Sequence, residues 1–197
     1  MEFTSVDSIH GGIASLIAEH SIDSLDVVIA NAGIAKMNLK LSETGISDIQ
    51  AHIAVNAFGQ LELFKAVAPL LRESKSDVKA KFLYMSSHLG SLTDMNLFAP
   101  MSAYGASKAL GNYLFKRLSL EQQDIVIWAQ HPGMVATDMA KTGSDCLESQ
   151  GIDVAALAAL TASVERSCQD MLRVIDNATL ETTHGKFFGP DGKELPW

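Results

Sequence analysis

Cysteine is scarce in this chain of 197 residues: only Cys146 and Cys168 occur, and they stand twenty-two positions apart. Two such residues build no disulfide framework, and they suit a reducing compartment. Long apolar runs are missing too. No stretch approaches about eighteen uninterrupted apolar residues, which excludes a membrane-spanning helix. The opening Met1-Glu2-Phe3-Thr4 has neither a basic nor an apolar signal region, so a cytoplasmic location is expected. Positive charge is outnumbered, with 15 Lys and Arg against 23 Asp and Glu and a net charge of −8. That balance argues against nucleic acid or an anionic membrane surface as the main partner. The six histidines show no metal-ligand spacing, so no metal is expected. A G-x-S-x-G turn is also absent, which disfavours a serine hydrolase.

What is present is ordinary globular material, 47% hydrophobic and 19% charged. The length fits one domain spanning residues 1–197. Apolar residues recur at helical spacing over 8–20, with Ser8 as the cap candidate, and again over 42–71, 102–121 and 154–178. Short apolar, β-branched or aromatic runs at 25–30, 81–85, 125–129 and 185–188 read as strands, and a polar segment fills 141–150. Pro69 is expected to distort the last turn of its helix. Helices alternating with short buried strands predict an α/β fold with a parallel sheet covered on both faces. In such folds the chemistry sits at the carboxyl ends of the strands.

Those ends carry polar groups: Asn31-Ala32-Gly33 after the first, Ser86-Ser87 after the second and His131-Pro132-Gly133 after the third. The third helix opens with Tyr104-Gly105-Ala106-Ser107-Lys108. Residues four apart share a helix face. An ammonium one turn away is expected to pull the Tyr104 phenol below its ordinary value near ~10, which suits a general acid. His88 and His131 flank this region, with turn or supporting roles expected. Met85, Met95, Met101, Met134 and Met139 cluster near it, as a plastic substrate wall or as core filling.

In this order (N-A-G, V-N-x-x-G, S-S, Y-x-x-x-K, P-G-x-V-x-T) the chain resembles the short-chain dehydrogenase/reductase family over essentially its whole length. Its ending, from Gly185-Lys186-Phe187-Phe188 to Trp197, resembles fungal ketoreductases of the norsolorinic acid type. The resemblance implies a Rossmann-like, doubly wound parallel sheet. It implies hydride transfer between NADP (or NAD) and a carbonyl or secondary alcohol substrate, in fungal secondary (polyketide) metabolism, by a homo-oligomer. Tyr104 would be the proton donor, Lys108 would hold the nicotinamide ribose and acidify Tyr104, and Ser87, rather than Ser86, would bond the substrate oxygen. Asn56 would hold a proton-relay water. Asn31, Ala32, Gly33, Pro132, Gly133, Val135 and Thr137 would lie against the cofactor. Lys65 would either approach it or be a solvated helix charge.

Two features depart from the pattern. The loop from His88 to Tyr104, with Asp94, Asn96 and Pro100, is longer than usual. The T-G-x-x-x-G-x-G turn that cradles the cofactor pyrophosphate is absent, and Gly11-Gly12 follows no apolar strand and does not replace it. The expectation is therefore a partial domain lacking the first strands and the phosphate loop, from a mis-predicted or naturally truncated gene product. Its strand at 25–29 would be a bare edge and an aggregation hazard. The alternative function is a catalytically impaired protein that dimerises or binds a partner through the helices at 42–71 and 102–121.

Overall fold

A computed structural model describes residues 1–37, 40–95, 101–149, 151 and 153–197, the side chains of 156–158 apart. Four parallel strands lie side by side in chain order: β1 (Val27–Ala30), β2 (Lys81–Met85), β3 (Val126–Gln130) and β4 (Phe187–Phe188). Among the described residues β1 is a sheet edge, and its Val27 and Ile29 are 41% and 44% exposed. No described helix is long and apolar enough to cross a membrane.

Side chains alternate across the pleat, so each central strand feeds two cores. Phe82 and Tyr84 of β2, with Ile127 and Ala129 of β3, pack against α3 (Gly59–Arg72) and Phe115 of α4 (Ser102–Glu121). Leu83, Val126 and Trp128 face the other way, onto Met171 and Ile175 of α7 (Val164–Asn177). Helix α1 (Val6–His20) lies on α3 and buries Ile9 and Ile13. Its cap is Ser5 rather than Ser8: the Ser5 hydroxyl accepts the Ser8 amide at 3.2 Å, while Ser8 Oγ accepts the Glu2 amide.

Three expected elements differ in detail. The helix expected over 42–71 is built in pieces: a short turn at Leu41–Glu43, α2 (Ile46–Ile53), a π-type turn at Ala54–Phe58, then α3. Pro69 lies inside α3. The polar segment at 141–150 is mostly helical instead, within α5 (Asp138–Ser149). Only Leu147 of α5 is buried, so the apolar period is missing. The helix is supported by the Thr137 hydroxyl accepting the Ala140 amide and by a Lys141–Asp145 pair at 2.7 Å. Helix 154–178 is broken into α6 (Ala155–Leu160) and α7, because Ala162 pairs with Val135 and Ser163 caps α7. Asn96, Pro100 and Gln150 lie outside the described residues.

At the centre of the first core, Tyr84 and Phe115 stack with ring centroids 4.5 Å apart, and Gly111 of α4 lies directly on the Tyr84 phenol. A Cβ at Gly111 would collide with the phenolic oxygen and Cζ of Tyr84. Gly111→Ala should therefore force α4 off the sheet. It is expected to cost about 2 kcal/mol and lower the melting temperature by about 4–8 °C. An unchanged melting curve would show that α4 and Tyr84 are not in this contact.

Candidate active site

The site forms where the chain leaves β1 and β2 and meets the starts of two helices. Its deepest member is Asn56, fully buried in the π-type turn. Such turns widen the helix and free groups from the ordinary backbone ladder. The Asn56 amide is fully spent. Its Oδ1 accepts the Ile34 amide at 2.8 Å, and its Nδ2 donates to the Ile34 carbonyl at 2.8 Å and to Ser107 Oγ at 2.9 Å. The Ser107 hydroxyl in turn donates to the Tyr104 carbonyl at 2.7 Å. From below, the Tyr84 hydroxyl donates to the Asn56 carbonyl at 3.0 Å. One buried amide thus ties together the segment after β1, the helix α2–α3 and the start of α4.

Lys108 is buried one turn along α4 from Tyr104. Its Nζ donates to the Met85 carbonyl at 2.6 Å and stands 5.2 Å from the Tyr84 ring centroid and 5.6 Å from that of Tyr104. Gly33 passes beside it: a Cβ there would stand 3.7 Å from Lys108 Nζ and 3.2 Å from Asn56 Oδ1. Ser87 follows β2, is buried, and accepts the Leu89 amide at 3.3 Å as the cap of the turn His88–Gly90. It stands beside the Tyr104 phenol and holds that group's proton affinity down. Ser86 points elsewhere, donating to Asn112 Oδ1 at 2.5 Å.

The electrostatics reverse one expectation. Burial pushes the Tyr104 phenol above its ordinary value, and the Ser87 side chain opposes that only in part. Burial also pulls the Lys108 ammonium down to about 8. The Lys108 donor is directed at Met85 rather than at the phenolic oxygen, so desolvation outweighs the cation's attraction. Tyr104 is therefore a neutral phenol at rest.

The structure brings Asn56, Ser87, Tyr104, Lys108 and Gly33 together. The Ala32 carbonyl is held by Gln60 Nε2 at 2.8 Å, and Asn31 continues directly from β1. Pro132 and Gly133 leave β3, with Gly133 at φ 84°, and the Pro132 carbonyl accepts the Ser167 hydroxyl at 2.8 Å. Val135 bridges to Ala162, and Thr137 opens α5. Lys65 is not brought to the group. It lies nine residues beyond Asn56, about 13 Å along the helix, and its Nζ is paired with Glu62 at 2.6 Å. His88 and His131 stack with ring centroids 6.1 Å apart, and burial, then His88, lowers His131 to about 4. Among the described residues no group of three His, Cys, Asp or Glu could hold a metal. Two residues of this region escape a sequence reading, His52 and Gln60. Their only signal is a polar residue every fourth position, His52, Asn56 and Gln60, along a buried helix face.

The Lys108 value fixes a pH dependence. The unfolded chain keeps that proton up to its ordinary 10.5, whereas the folded chain releases it from about 8. Between those values the unfolded state binds more protons, so stability should rise with pH there. Urea unfolding of the wild type and of Lys108→Met is expected to show the wild type gaining on the variant from about pH 8 to 10.5. Parallel curves would mean that Lys108 is not desolvated.

A family model described as short chain dehydrogenase matches residues 1–147. The short chain dehydrogenase gsfK of Penicillium aethiopicum is 52% identical over 197 residues, which are 100% of this chain and 77% of that protein. The norsolorinic acid ketoreductase of Aspergillus parasiticus is 33% identical over 188 residues, 94% of this chain and 66% of that one. Among solved structures, the NADPH-bound carbonyl reductase from chicken fatty liver superposes with a TM-score of 0.86 at 28% identity, over 100% of this chain and 75% of that one. With three quarters of its length matched by the family model and half its residues identical to one relative, the chain belongs to the short chain dehydrogenase family.

Proposed function

We propose that this chain reduces a ketone to a secondary alcohol, and reverses the reaction, with NADP(H) as its cofactor. The observation that carries the reading is a half-buried, neutral Tyr104 phenol beside Ser87 and one helical turn from Lys108. The residues suit the nicotinamide end of such a cofactor. Gly33 leaves open the space beside Lys108 Nζ, and Lys108 spends one of its three N–H donors on Met85. The dinucleotide choice is supported by the NADPH bound in the chicken enzyme. The relationship to norsolorinic acid ketoreductase supports a ketone of fungal polyketide metabolism as substrate.

NADP(H), when bound, supplies the hydride. Tyr104 gives its phenolic proton to the carbonyl oxygen as that oxygen gains charge, a general-acid step. Ser87 holds the same oxygen by a second hydrogen bond, with its own position fixed by the Leu89 amide. Once the proton has left, the phenolate of Tyr104 faces the Lys108 ammonium in a desolvated site, where the attraction is strong. Lys108 thus acts on the charged product of proton transfer rather than on the resting phenol. Its Nζ borders the space beside Gly33, where its remaining donors would hold ribose hydroxyls. The Asn56 amide is occupied, so its contribution is placement. Assembling this set has no use in a protein that only binds a partner.

Tyr104→Phe removes one hydroxyl and keeps the ring. Ketone-dependent NADPH oxidation is expected to fall on the order of 10²-fold or more, with NADPH binding retained. Lys108→Ala should weaken both binding and turnover. Wild-type turnover in Tyr104→Phe would overturn the mechanism.

A further inference from the structure

His52 is fully buried on the helix face that carries Asn56, and nothing in the reaction above uses it. Its Nε2 accepts the Lys36 amide at 3.0 Å and its Nδ1 meets the Asp48 carbonyl at 2.7 Å. A carbonyl only accepts and an amide only donates, so the proton sits on Nδ1 and the ring is neutral. Gln60 and Asn56 hold the Ala32 carbonyl and both backbone groups of Ile34. Three side chains spaced by four residues therefore grip every second residue of the segment 32–36, in antiparallel order. The spacings match. Four residues of helix rise about 6 Å, and two residues of extended chain about 6.6 Å. Four residues also overshoot one α-helical turn, and the π-type turn between His52 and Gln60, with more residues per turn, brings the three back into line.

We infer that His52 is a positioning residue for the cofactor face of the site, an inference that rests on the function proposed above. The gripped segment carries Gly33, which borders Lys108 Nζ. Its outer end is fixed by His52 alone of the three. Met37, next to the anchored Lys36, places its sulfur 3.8 Å from where a Cβ on Gly143 of α5 would be. His52 thus sets both the floor under the nicotinamide end and the level at which that floor meets α5. A Lys36–Asp48 pair at 4.0 Å, with both groups exposed, also joins this end to the helix. Exposed pairs hold weakly.

The test compares the intact chain with His52→Leu, which removes the acceptor, and His52→Gln, which offers an oxygen in its place. Amide hydrogen exchange without cofactor, and NADPH binding at equilibrium, are read on each. In His52→Leu the Lys36 amide should exchange about tenfold faster while β2 and β3 keep their protection, and the NADPH dissociation constant should rise about tenfold. His52→Gln should recover much of both. Should the leucine variant fail to fold, nitrogen–nitrogen coupling across the Lys36 to His52 hydrogen bond in the wild type, together with the glutamine variant's NADPH affinity, decides the matter. An absent coupling, or a Lys36 amide indifferent to the substitution, would overturn the inference. So would unchanged NADPH affinity in His52→Leu beside normal binding by the wild type. A wild type that binds no NADPH would instead sink the functional reading.

Discussion

The corner of the molecule where the chemistry sits hangs on the side chain of Asn56. A buried amide has two donors and an acceptor to satisfy, and leaving any unmade costs about 1–3 kcal/mol. Here all three are met by groups on two other elements: the Ile34 amide and carbonyl after β1, and Ser107 of α4. Ser107 passes the constraint to the Tyr104 carbonyl, and the Tyr84 hydroxyl locks the turn from the sheet side. The segment after β1, the wide helical turn and the first turn of α4 cannot shift independently without orphaning a buried group.

That constraint explains how the reacting groups are tuned. Holding Tyr104 and Lys108 away from water moves their proton affinities in opposite senses, the phenol upward and the ammonium downward. Both shifts favour neutral forms, so the resting site carries less charge than a tyrosinate and an ammonium would. Charge is then stabilised chiefly when proton transfer creates it, which is where a catalyst gains from stabilisation. The ammonium assists the product of the step.

Much of this was legible in the sequence. The alternating pattern gave an α/β parallel sheet, and β2 and α4 fall where their apolar residues place them. The strand-end groups Asn31 to Gly33, Ser87 and Pro132 do cluster at one edge, because topology alone puts the carboxyl ends of parallel strands together. What escaped followed from physics that periodicity does not carry. Helix α5 buries only Leu147, so it has no apolar stripe to read. The break between α6 and α7 is set by a pairing of Ala162 with Val135, a partner far away in the chain. The upward direction of the Tyr104 shift is not legible because spacing shows the nearby Lys108 and not the desolvation of both groups. Lys65 shares a helix with Asn56 but is occupied by Glu62, a local pair that draws it from the site. His52 and Gln60 stay silent in the sequence because a polar residue on an apolar face declares its purpose only through its backbone partners.

If Asn56 is the link through which these elements constrain one another, it must be energetically coupled to Ser107. A double-mutant cycle of Asn56→Ala and Ser107→Ala, measured by urea unfolding of the four proteins, tests this directly. Residues sharing a buried hydrogen bond typically couple by about 0.5–3 kcal/mol, and a value near 1 kcal/mol or above is expected here. Effects that simply add, within about 0.3–0.5 kcal/mol, would contradict the account, because the site would then rest on separate contacts rather than on one shared amide.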